Sequence, residues 1–125
     1  MFFKRIAIIG SFALTTLTSA VAAAAGGALE GRLRSAADRG DAGEVRTLLD
    51  ASVNVDHANR LGWTALLEAI MLGDGSERYM RIVQLLVDGR ASVNLADSNG
   101  ATPLQHARRR GYGANERVLG AAGAR

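Results

Sequence analysis

The sequence predicts an all-α solenoid of about three helix-turn-helix-hairpin units, preceded by the helix of an N-terminal signal peptide. Three observations predict it. First, GWTALLEAIMLG at 62–73 recurs as GATPLQHARRRG at 100–111 and, with Leu29 in place of the opening glycine, as LEGRLRSAADRG at 29–40. Second, Leu33, Leu66 and Leu104 coincide in that frame, as do Ala36, Ala69 and Ala107, then Gly40, Gly73 and Gly111. Third, the register continues beyond the twelve-mer, with Val45 matching Val83, Leu48 matching Leu86, Val55 matching Val93 and Gly62 matching Gly100, all at 38 residues. The twelve-mers themselves are spaced by 33 and then 38, and one five-residue insertion within DGSERYMR accounts for the difference.

The elements follow in order. Residues 1–25 open with Lys4-Arg5, continue through an apolar run from Ile6, and end in alanines at A-x-A spacing, Ala20-Val21-Ala22 and Ala23-Ala24-Ala25. That is the pattern of a secretory signal peptide. An uncleaved anchor is the alternative, because about 20 mostly apolar residues can span a bilayer; Thr15, Thr16, Thr18 and Ser19 argue against it. The repeats then occupy 29–61, 62–99 and 100–125. Thr64 and Thr102 are placed to cap helices, the latter with Pro103 at the first helical position, where a missing N–H costs nothing. Leu66, Ala69 and Ile70 recur at helical spacing. Gly73 and Gly111 stand where each helix has to stop and reverse. RIVQLLV at 81–87 supplies a second helix with Ile82, Val83, Leu85 and Leu86 inward, and ASVNLADSNG has short-strand and turn composition. In the last unit GANERVLGAAGA carries Gly113 and Gly120 and places Glu116 at the valine position, so a short, frayed helix is expected.

Bulk composition narrows the function. The 125 residues suffice for one small domain, and the formal charge is +3. Removal of Lys4 and Arg5 with the leader leaves thirteen basic against twelve acidic residues, which argues against nucleic acid as a partner. With no cysteine, the chain has neither disulfides nor a lipidated cysteine, and packing alone must hold it together. His57 and His106 have no clustered carboxylates at metal-ligand spacing and read as satisfied or solvent-facing. No nucleophile elbow, phosphate loop or zinc motif opens a helix. LGDGSERYM joins two helices and lacks a lysine. Glu68 reads as a polar contact on the helix surface, and Arg108–Arg110 as the polar outer face that a terminal repeat needs. No metal, cofactor, small-molecule substrate or catalytic residue is expected.

The 33-residue period, headed by NGATPLQHARRRGY and LGWTALLEAIMLG and punctuated by GRASVNLADSNG and ASVNVDHANRLG, resembles the ankyrin repeat family over residue 29 to the end. The family's histidine after T-P-L is replaced by Leu67 and Gln105, and Arg90 stands where the family has glycine, a role open to Gly89. The resemblance implies binding of a protein partner through a concave face of hairpin tips and first helices. Carried over residue by residue, that face comprises Arg60, Leu61, Trp63, Met71 and Leu72 in the middle unit. In the last it comprises Ser98, Asn99, Ala101, Arg109 and Arg110, and in the first Asp38 and Arg39. The frame does not require an aromatic at 63, since its counterpart is Ala101; a tryptophan among leucines and a methionine, rimmed by arginines, has the composition of a binding hot spot. The competing reading is a satellite core in which Trp63 folds over its own hairpin and the insertion covers Met71 and Leu72. The leader and the use of arginine over lysine point to a monomeric bacterial adaptor in the periplasm. The alternatives are an inner-membrane-anchored regulatory or structural subunit with its repeats in the periplasm, or an inhibitor or immunity-type protein that blocks a partner enzyme.

Overall fold

A computed structural model describes residues 27–125; the leader expected over 1–25 lies outside the described residues. Six helices follow one another: α1 (Ala28–Arg39), α2 (Ala42–Asp50), α3 (Ala65–Met71), α4 (Glu77–Asp88), α5 (Pro103–Arg110) and α6 (Gly113–Ala121). Each odd-numbered helix packs against the even-numbered helix that follows it. Across units, α1, α3 and α5 form one layer and α2, α4 and α6 the other. No one pair can bury its apolar side alone, so the stack shares one seam. A single apolar cluster runs from Leu33 and Val45 through Leu66, Ile70 and Val83 to Leu104 and Leu119. The recurring alanines at 36, 69 and 107 are fully buried, which is what permits neighbouring first helices to approach closely.

Local chemistry sets the helix starts. The Thr64 hydroxyl accepts from Leu67 N at 3.3 Å. Thr102 forms a capping box: its hydroxyl accepts from Gln105 N at 3.2 Å while Gln105 Oε1 accepts from Thr102 N at 3.0 Å. Gln105, at the family's histidine position, thus serves its own helix terminus, and Leu67 is simply buried core.

Several expectations need correction. The turns between units contain no strand among the described residues; Asx-type turns close them instead. Gly111 ends α5 in the left-handed region (φ 69°), as expected, but Gly73 is not needed for that reason. A Cβ there would fall 2.3 Å from Ala69 O and 2.5 Å from the Tyr79 ring, so close approach and not handedness excludes a side chain. Gly89 (φ −80°) does not take over the turn from position 90; Arg90 itself adopts φ 70°, as Ser52 does at φ 61° in the unit before. Finally, α6 is no shorter than α2, each with nine residues. Leu119 is fully buried within it, and the chain beyond it folds back on the second hairpin, with Arg125 N donating to Asn94 Oδ1 at 2.8 Å. Glu116 is half-buried at the valine position, and the buried Leu119 anchors the helix instead.

Candidate binding face

The hairpin tips are built on one side-chain device used twice. Asn59 Oδ1 accepts from Leu61 N at 2.8 Å and Trp63 N at 3.1 Å; 38 residues on, Asp97 Oδ1 accepts from Asn99 N at 2.9 Å and Ala101 N at 3.0 Å. Each of these residues then ties its tip to the first helix of the same unit with its remaining polar atom. Asn59 Nδ2 donates to Glu68 Oε1 at 3.2 Å, and Asp97 Oδ2 pairs with His106 Nε2 at 2.9 Å. The donor and acceptor have exchanged sides between the two copies, and the geometry is conserved only because both members changed together. Successive tips join directly, with Ser98 N donating to Leu61 O at 3.1 Å.

The opposite ends of the first helices form a second row, and here the insertion matters. It lengthens α4 by a turn at its N-terminus relative to α2, placing Arg78 and Tyr79 over the preceding unit. Tyr79 Oη donates to Asp38 O at 2.8 Å, Arg78 Nη2 to Arg39 O at 2.9 Å and Arg78 Nε to Gly40 O at 3.0 Å. Tyr112 repeats the gesture one unit later, its hydroxyl donating to Gly73 O at 3.3 Å. The main chain at Asp38, Arg39 and Gly73 is thereby fixed, while the Arg39 side chain and the neighbouring Leu72 stay exposed.

The expected face residues fall on these two rows. Arg60, Leu61, Ser98 and Asn99 are exposed on the tips, and Leu72, Arg109, Arg110 and Arg39 are exposed at the helix ends. Trp63, Met71 and Asp38 are half-buried, and Ala101 is buried and so presents nothing. Leu61 and Leu72 are 55% and 48% exposed, unusual values for leucine. The insertion therefore does not cover Leu72, because its side chains are spent on the preceding unit. Trp63 does not pack on the central apolar cluster. Pinned by Asn59 at its N–H and by its carbonyl to Asn59 N at 3.1 Å, it is a held, half-open aromatic.

One feature escaped the sequence reading. Glu68 is buried, not on the helix surface, and it joins a polar cluster linking α1, the first tip and α3. Its carboxylate lies 4.0 Å from Arg34 Nε, and Arg34 Nη1 lies 2.8 Å from His57 Nδ1. Burial raises the Glu68 carboxyl above its ordinary value, Arg34 opposing and Asp38 reinforcing the shift. The signal for this cluster was the repeated polar residue three positions before Gly62 and Gly100, whose partner nine residues on, in the first turn of the following helix, is Glu68 or His106. His106 is buried too, with Nε2 partnered and Nδ1 not, and its pairing holds the Asp97 carboxyl below its ordinary value. Among the described residues no group of three His, Cys, Asp or Glu could hold a metal ion, and no helix is long and apolar enough to cross a membrane.

Comparison with known proteins agrees with this architecture. The family described as ankyrin repeats, in three copies, matches residues 33–120. The ankyrin repeat protein YahD of Escherichia coli K12 is 45% identical over 93 residues, covering 74% of this chain and 46% of that protein. An ankyrin repeat domain from Acinetobacter baumannii AYE superposes with a TM-score of 0.73 at 58% identity, over 74% of this chain and 47% of that one. The ankyrin repeat domain of human ASB11 gives 0.66 at 31% identity, over 74% and 40%. The chain thus spans about half the length of the relatives it matches. Repeats of this kind generally mediate protein–protein interaction. With its stacked helix pairs, its Asx-closed tips and this match over most of the described residues, the chain belongs to the ankyrin repeat family.

Proposed function

We propose that this protein is a non-catalytic adaptor that binds a protein partner through the face formed by its hairpin tips and the C-terminal ends of its first helices. The observation that carries the reading is the exposure of Leu61 and Leu72, at 55% and 48%, beside half-buried Trp63 and Met71. Exposed apolar side chains at both ends of one helix, with polar groups around them, have the composition of interface hot-spot residues. Each is held on backbone fixed by its own hydrogen bonds, so little ordering remains to oppose association. The proposal extends to location: the Lys4-Arg5 start, apolar run and alanine-rich end of residues 1–25 support export to the periplasm.

Affinity capture from a periplasmic extract tests the binding face. Wild-type protein is expected to retrieve a partner that a Trp63→Ala/Arg109→Ala variant of unchanged circular dichroism does not. Equal retrieval by both would place binding elsewhere. N-terminal sequencing of the exported protein tests the location, with a start near Ala23 or Gly26 expected and an intact Met1 contradicting cleavage.

A further inference from the structure

Around the exposed leucines of the face, positive charge outnumbers negative. Arg39 and Arg110 end the first helices of the outer two units, Arg109 precedes Arg110, and Arg60 stands at the first tip, all exposed. Among the described residues none of the four is in an ion pair, whereas Arg32, Arg34, Arg81 and Arg108 each have a carboxylate partner. Arg78, which is close by, is engaged with the backbone carbonyls of Arg39 and Gly40. Three carboxylates share this edge: Asp38; Asp41, whose Oδ1 accepts from Glu44 N at 3.1 Å; and Asp74, which is committed to Ser76 N at 3.0 Å and held below its ordinary value by its bonding to Ser76. The outer layer is balanced by contrast, α2 and α4 carrying Glu44, Asp50, Glu77 and Asp88 beside Arg46, Arg78 and Arg81. A chain with nearly equal numbers of the two signs has thus gathered an excess of one around its exposed leucines.

From this charge complementarity, and resting on the binding face proposed above, we infer that the partner presents an acidic segment with an apolar anchor. One large aliphatic or aromatic side chain seats against Leu61 and Trp63 at the tip, with Leu72 offering apolar surface at the far end of α3, and Asp or Glu residues flanking it meet Arg60 on the tip row and Arg39, Arg109 and Arg110 on the helix-end row. Guanidinium groups suit this role because their planar fork engages a carboxylate through two N–H donors at once. The apolar anchor sets the residence time and the arginines the encounter rate and the sign selectivity. A polyanion without an anchor would use the arginines and leave Trp63 idle.

Selection of random peptides displayed on phage against the full chain tests this, followed by fluorescence anisotropy of the best peptide. The expected consensus is acidic residues flanking a large apolar one. Its affinity should fall about tenfold or more between low salt, where the Debye length is about 30 Å, and physiological salt, where it is about 8 Å. The charge-reversed variant Arg60→Glu/Arg109→Glu is expected to select basic flanks around the same apolar position. A consensus without acidic residues, or one unchanged by reversal, overturns the inference; if Trp63→Ala still abolishes that binding, the face itself stands. Binding that neither Trp63→Ala nor reversal alters rules out both. A labelled oligonucleotide bound as tightly as the peptide, with Trp63→Ala without effect, replaces the peptide reading with polyanion binding.

Discussion

Replacing Asn115 with leucine is expected to make the protein more stable. Asn115 is fully buried, and neither its Nδ2 nor its Oδ1 has a hydrogen-bond partner. It occupies the position that Ile82 fills, also fully buried, in the preceding unit. An amide taken from water without compensating bonds costs about 1–3 kcal/mol on the protein scale. Leucine shares asparagine's branching at Cγ, so its two methyls replace the amide atoms nearly in place. Their extra volume takes back about 1 kcal/mol through local crowding. The net gain is about 0–2 kcal/mol, centred on about 1, and each kcal/mol is worth about 4–8 °C in Tm in a domain of this size. Thermal unfolding followed by circular dichroism measures it, with Asn115→Ala alongside: alanine removes the stranded amide but leaves a void and should be close to neutral. If both substitutions lower Tm, the amide makes bonds in solution that contradict its stranded position, and the reasoning fails.

Other outcomes follow from the same geometry. Tyr79→Phe removes the donation to Asp38 O and is expected to cost about 1 kcal/mol, read as a lower midpoint in urea, with Trp63 fluorescence unchanged in the native state. Arg90→Gly relieves a left-handed arginine and is expected to raise stability by about 0.5–1 kcal/mol, the strain removed being partly offset by glycine's larger unfolded-state entropy. Glu68→Gln keeps the acceptor for Asn59 and removes a charge that burial disfavours. Because the folded-state carboxyl lies above its ordinary 4.5, the native form binds more protons than the unfolded one just above that pH, so stability falls as pH rises through the window. The glutamine variant is therefore expected to exceed wild type in Tm at neutral pH and to converge with it below about pH 4.5.

The helical solenoid was legible because it rests on periodicity. Leucine and alanine recurred at positions whose only use is to face a neighbouring unit, and threonine with proline marked the helix starts. What the sequence concealed was context. Arg90 could be assigned no left-handed turn from its side chain, since the turn is imposed by the end of α4, where Ala91 N donates back to Leu86 O at 2.9 Å. Gly73 resembled Gly111 in frame, yet the insertion brought Tyr79 against it and changed the reason glycine is needed. Glu68 read as a surface residue because one chain position cannot reveal that Arg34 and Asn59, from two other elements, close over it. In α6 the glycines and Glu116 argued for fraying, but burial of Leu119 against α4 outweighs a weak helix propensity. The face residues were nameable from the frame alone. Which of them are open was not, and Ala101 proved closed.

Site-specific photo-crosslinking in living cells addresses the binding face most directly. A benzophenone amino acid placed at Leu61 or Leu72 is predicted to trap a partner as a discrete higher-mass adduct, while the same probe at Arg46, exposed on α2 in the outer layer, is predicted to trap none. Adducts from Arg46 with silence at Leu61 and Leu72 would contradict the account.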